Sequence, residues 1–140
     1  MFPEKLSQQI IENAPDAILY VDSKGLIQHW NQGAESIFGF TSAEAVGQSL
    51  DIIIPEKLRG RHWDGYHKVM ASGESRYGTE MLAVPALHRD GRRLSVEFSI
   101  VMLKSAQGQV EGIASVMRDV TIQHQREKTL RERVAELERS

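Results

Sequence analysis

Apolar and polar positions change their period along this chain, and the changes mark its elements. Between Pro3 and Pro15, Leu6, Ile10 and Ile11 fall at helical spacing, a short stripe that Pro15 ends. Ile18 to Val21 then form an apolar run. Ser23-Lys24-Gly25 reads as a turn and Leu26 to Trp30 as the return strand, which together predict a hairpin. Asn31 stands where an N-cap belongs and Gly39 where a helix stops. Thr41 or Ser42, with Glu44 in the first turn and Gly47 after it, predicts a second short helix. Pro55 leads into "LRGRHWDGYHKVMASGE", a longer helix rich in aromatic and histidine residues.

After Gly73 the period becomes two. "SRYGTEMLAVPAL" is strand-like and Asp90-Gly91 marks a turn. Leu94, Val96, Phe98, Ile100 and Met102 then alternate onto one face of a long strand. "SAQGQ" makes another turn. The last strand, "VEGIASVMRDV", carries Ile113, Ser115 and Met117 on one face and Ala114, Val116 and Arg118 on the other. Hairpin-like pairs at both ends predict a mostly antiparallel five-stranded sheet in an α+β layer. From Thr121 onward the chain is polar and helix-forming. Leu130, Val134 and Leu137 recur at spacings of four and three, and the same seam runs back through Glu127 and Gln123 to Val120. This is the pattern of an incipient coiled coil.

Composition narrows the chemistry. The chain has 140 residues, the size of one domain, and 41% of them are hydrophobic, enough for a core. The net charge of −2 provides no basic field to recruit nucleic acid or anionic lipid. There is no cysteine, which removes disulfides, thiolate metal sites and cysteine nucleophiles. No run approaches the roughly 18 apolar residues of a membrane span. "MFPEKLSQQI" lacks the basic flank and apolar block of a signal peptide. The expectation is a cytoplasmic domain without membrane contact.

No nucleophile elbow, phosphate-binding glycine loop or dinucleotide fingerprint is present, so the chain is not expected to be an enzyme. Of the five histidines only His62 and His67 are close together, and a separation of five puts them on different faces of a helix. A zinc site, which needs three or four clustered ligands, does not follow. His62 shares an apolar, inward-looking face with Leu58, Tyr66 and Val69. There a neutral imidazole could coordinate a metal through Nε2, or simply pack and hydrogen-bond. Trp63, His67 and Met70 lie on a neighbouring face, expected against the sheet edge or a second subunit. His67 reads as a surface residue.

The order of elements, with "PDAILYVDSKGLIQHWNQGAESIFGFTSAEAVGQSL" opening and "HRDGRRLSVEFSI" and "GIASVMRDVT" closing, closely resembles a PAS sensor domain. The resemblance implies a five-stranded antiparallel sheet cupping a pocket, with short helices on one side and a C-terminal signalling helix. Residues 1–13 would be a flanking helix, 14–121 the sensor domain and 122–140 the signalling helix. Asp119, Val120 and Thr121 match the junction from which that helix leaves, and Leu130, Val134 and Leu137 would join it to a second copy. The family implies a homodimer, joined through the N-terminal helix, the C-terminal helix or both, that senses a small ligand or cofactor. The signal would pass to a kinase, cyclase, receptor or transcription-regulator module in bacterial signal transduction, two-component systems included. A ligand-free dimerisation adaptor is the alternative.

"RGRHWDGY…SGE" is also similar to the haem-binding PAS domains of bacterial oxygen sensors, which implies His62 as the axial ligand of haem b. That alignment puts Leu82 where those sensors carry an oxygen-binding arginine, and Met81 one place from a position that can hold a methionine ligand. Tyr66, Val69, Val96 and Phe98 would line the same pocket, although strand parity leaves open which sheet face is inward. A photochemical flavin adduct needs a cysteine and is excluded, whereas a non-covalent flavin is not.

Overall fold

The structure, a computed structural model, describes residues 2–74 and 82–139. Its elements in order are α1 (Glu4–Asn13), β1 (Ala17–Asp22), β2 (Ile27–Trp30), α2 (Gln32–Phe38), α3 (Ser42–Ala45), two short 3-10 turns, and α4 (Arg59–Ser72). β3 (Leu82–Leu87), β4 (Arg93–Lys104), β5 (Val110–Asp119) and α5 (Thr121–Arg139) follow. The five strands form one sheet in the order β2-β1-β5-β4-β3, and every neighbouring pair is antiparallel. The expected α+β architecture is the observed one. The proposed start of the third strand, residues 75–81, lies outside the described residues.

Local chemistry accounts for the boundaries. Asn31 accepts from the Ala34 N–H (2.9 Å) and caps α2. Gly39 ends that helix in the left-handed region at φ 83°. Thr41 and Glu44 complete a capping box at the start of α3. Asp22 holds the β1–β2 turn by accepting from the Lys24 and Leu26 N–H groups and from the Gln28 amide, which together keep its carboxyl below the usual carboxylate range against the effect of burial.

The register settles the question of sheet face. Ala17, Leu19 and Val21 oppose Met117, Ser115 and Ile113, and all six are buried. Phe98 and Ile100 oppose Met117 and Ser115, so Leu94, Val96, Phe98, Ile100 and Met102 share that inner face beneath the helices. Phe38, Leu19, Ile27 and Val96 are among the largest fully buried side chains, each contributing about 1.5–3 kcal/mol through burial. The β3–β4 turn docks on the far end of α2: the Arg89 N–H donates to the Phe38 carbonyl (2.8 Å) and its guanidinium reaches Glu44 (2.7 Å).

Candidate functional site

The candidate site is built on α4, which spans the inner face of the sheet. Its own propensity is modest, because Gly60 and Gly65 each cost a helix interior about 1 kcal/mol relative to alanine. Side-chain ties hold it in place instead. Arg59 donates through Nε to the Ile54 carbonyl (3.0 Å) and through Nη2 to the Asp51 carbonyl (3.2 Å), anchoring the start of the helix on the preceding 3-10 turn. Trp63 Nε1–H donates to the Asp51 carboxylate (2.7 Å). The Tyr66 hydroxyl donates to the Asp22 carbonyl of β1. Gly73, at φ 72°, closes the helix by donating to the Val69 carbonyl (2.8 Å).

Tyr66 is buried. Its phenol is pushed up to about 12, first by desolvation and then by the nearby negative charges of Asp22 and Tyr20. It therefore stays a neutral donor across the physiological range. His62 is half-buried, one turn before Tyr66, with its ring 4.6 Å from that of Trp63 (edge-on, 76°) and 6.2 Å from that of Tyr66. Burial lowers its pKa, and the Asp51 charge offsets part of that, so the imidazole is neutral near pH 7. Its Nδ1 is fully buried and has no hydrogen-bond partner among the described residues. A neutral imidazole with an unsatisfied buried nitrogen can accept a hydrogen bond or bind a metal.

Of the residues expected around the site, the structure brings Tyr66, Val69, Val96 and Phe98 into one cluster with the inner sheet face. The Leu82 backbone pairs with Phe98 at the start of β3. Met81 lies outside the described residues. His67 is exposed, as expected. Trp63 and Met70 both pack against the core, and Trp63 does so beside the turn that leads into the edge strand β2. Its ring lies over Gly25, so close that a Cβ there would stand 2.5 Å from the ring.

Asp51 and Arg59 were not recognised in the sequence. Their roles depend on a 3-10 turn folding back under α4, and no periodicity within the helix encodes that. Tyr66, Val69, Val96 and Phe98 fill the space between α4 and the sheet as part of the core cluster. A ligand occupying a pocket of roughly 300 Å³ or more would have to part them.

At the exit, Val120 is buried and its N–H donates to the Ser95 carbonyl (2.9 Å). Thr121 Oγ1 accepts from the Ser95 N–H (2.9 Å), and Asp119 accepts from the Thr121 N–H (3.0 Å). The root of α5 is thereby bonded to β4, the neighbour of β5, against which α4 packs. Leu130, Val134 and Leu137 are exposed. Among the described residues no helix is long and apolar enough to cross a membrane, and no group of three metal-ligating side chains occurs.

The family model described as PAS fold matches residues 5–120. The chain is 29% identical over 130 residues to the sensor protein FixL of Bradyrhizobium diazoefficiens, covering 93% of this chain and 25% of that protein. It is 26% identical over 119 residues to the oxygen sensor protein DosP of Escherichia coli, covering 84% of this chain and 14% of that one. The chain thus spans a quarter or less of these relatives. Among solved structures, the PAS domain of a protein from Colwellia psychrerythraea superposes with a TM-score of 0.73 at 23% identity, covering 84% of this chain and 96% of that domain.

Proposed function

The chain belongs to the PAS family, and from that premise we propose that it is a sensory module without catalytic activity of its own. A small molecule or cofactor held between α4 and the inner sheet face, near His62, Tyr66, Val69, Leu82, Val96 and Phe98, shifts the chain between two arrangements. The junction Asp119-Val120-Thr121 passes the shift to α5, which joins a second copy and drives an effector such as a kinase or cyclase module. The supporting observation is the connection between the two ends. α4 is a weak helix fixed by a few side-chain ties, and the strand it packs against, β5, runs directly into the root of α5. A ligand that parts α4 from the sheet must strain the same strand.

One observation favours haem as the occupant. His62 is a half-buried, neutral imidazole beside the rings of Trp63 and Tyr66, a histidine that could bind iron through Nε2. His62 would hold the iron, with Val69, Val96 and Phe98 packing against the macrocycle. When bound, haem supplies an iron centre able to take up a diatomic gas or change oxidation state. The protein's part is to keep His62 neutral and aimed, which burial and the α4 ties do.

The test is the absorption spectrum of the purified chain before and after incubation with hemin, with small molecules extracted and identified by mass spectrometry. A Soret band lost in His62→Ala supports haem. A different retained molecule supports sensing of another ligand. A chain that carries nothing and takes up no hemin points to a ligand-free dimerisation adaptor.

A further inference from the structure

Among the described residues, the buried polar side chains are those of Asn31 and Ser115. Asn31 is satisfied by backbone groups at Ile11, Asp16, Ile18 and Ala34. Ser115 is 7% exposed, and its hydroxyl has no hydrogen-bond partner among the described residues. The strand ladder does not absorb it, because β5 runs between β1 and β4 and pairing on both sides takes up its backbone groups. The hydroxyl is not sealed in either. Among the described residues the fully buried side-chain atom without a partner is Nδ1 of His62, so the Ser115 oxygen keeps accessible surface within a buried residue.

The register fixes where that surface opens. Leu19 and Ile100 oppose Ser115 on either side, on the inner face of the sheet. α4 is tied towards one end of β5. The Tyr66 hydroxyl reaches Asp22, whose partner on β5 is Gly112, and Gly73 lies beside the side chains of Lys104 and Val110. Ser115 stands further along β5, about 10 Å from Gly112 at the rise of a strand, and therefore at mid-sheet. Beside it on β4, Phe98, Ile100 and Met102 are only partly buried. A hydroxyl that only filled space at the centre of an apolar wall would cost stability that an alanine does not. A wall that carries one such group is suited to an apolar molecule with one polar atom turned towards it.

We propose that Ser115 is the specificity-determining contact of the space between α4 and the sheet, exchanging one hydrogen bond with an oxygen or nitrogen of a mainly apolar molecule. This rests on the ligand-sensing reading above and names the class of molecule that the site selects. A site built to hydrogen-bond a polar atom rejects the analogue that lacks it, because its own group is then left unpaired. A molecule with charge directed at the same wall meets Leu19, Ile100 and Met117, which offset nothing.

Wild type, Ser115→Ala and Ser99→Ala are compared as full chains, refolded from urea to remove retained molecules. Ser99 opposes Val116 on the outer face and controls for the loss of a strand serine. Without a ligand, Ser115→Ala is expected to be at least as stable as wild type in urea unfolding. A folding constant about tenfold below that of Ser99→Ala would show that the hydroxyl is paired inside the protein, and would overturn the proposal. The probes for binding are 2-naphthol and 2-methylnaphthalene, which match in size and exchange a hydroxyl for a methyl group, measured by equilibrium dialysis. Wild type and Ser99→Ala are expected to hold 2-naphthol about tenfold more tightly than 2-methylnaphthalene, and Ser115→Ala to lose that preference. Binding of both probes with the same preference in wild type and Ser115→Ala would overturn the role of Ser115 and leave the ligand-binding space standing. Retention of neither probe by any of the three chains would overturn the proposed class of molecule. If the chain also takes up no hemin and carries nothing from purification, the sensing reading falls with it.

Discussion

Replacing His62 by leucine in the ligand-free chain should make it more stable, although the position is half-buried and central to the proposed site. The structure provides two contributions. The buried Nδ1 has lost water without gaining a partner, a cost of about 1–3 kcal/mol that an apolar side chain of similar size does not carry. The second contribution depends on pH. Burial, the dominant cause, holds the folded-state pKa of His62 below its ordinary 6.5, with Asp51 opposing. The unfolded chain therefore binds a proton before the folded one does. Stability from this group is complete above pH 6.5 and is lost as pH falls from there through the folded value.

One proton gives a slope of at most about 1.4 kcal/mol per pH unit, so the gap between variant and wild type should widen by up to that amount between about pH 6.5 and pH 5.5. Urea unfolding followed by circular dichroism at about pH 7.5 and pH 5.5 measures both contributions. His67→Leu, at an exposed position of the same helix, corrects for helix propensity. A variant at least 1 kcal/mol less stable than wild type at the higher pH would show that the imidazole is satisfied and refute that cost. A gap that stays constant with pH would refute the effect of burial. If hemin binds at His62, adding it at about 100 times its Kd should stabilise wild type alone by about 2.7 kcal/mol and reverse the ranking.

Two further perturbations test the frame that carries the site. Asn31 accepts from the Ile18 and Ala34 N–H groups and donates to the Ile11 and Asp16 carbonyls, joining α1, β1 and α2 through one buried side chain. Asn31→Ala should cost about 3 kcal/mol in urea unfolding, and Asn31→Asp, which keeps the acceptor and loses the donor, an intermediate amount. Gly25→Ala should cost about 2 kcal/mol or more, combining strain at φ 82° with the collision against Trp63. In a Trp63→Leu background Gly25→Ala should cost less than in wild type, because the strain remains and the collision does not, and an equal cost in both backgrounds would show that the ring does not rest on the turn.

Much of this molecule follows from local chemistry. The turn at Gly25, the stop at Gly39 and the capping box of Thr41 and Glu44 are each settled by a few neighbouring residues, because only certain side chains satisfy a helix end or accept a positive φ. Alternation along β4 showed that Val96 and Phe98 share a face. From those local elements the antiparallel sheet and its helical layer were readable, as was the isolation of His62 from His67. Which face of β4 is inward was not readable. A period of two is symmetric between faces until a neighbouring strand fixes the register.

The site itself depended on contacts between distant segments. The Tyr66 hydroxyl meets Asp22, 44 residues away, and Trp63 finds Asp51 and the bare backbone of Gly25. Helical spacing put Trp63 on a neighbouring face without naming its partners, because it measures direction around one axis and carries no information about what folds over that axis. By itself the sequence determined the elements, their order and one histidine worth testing. Only the tertiary structure decided that this histidine keeps a buried nitrogen unpaired, because burial and hydrogen-bond satisfaction belong to the packed assembly of segments and not to any one of them.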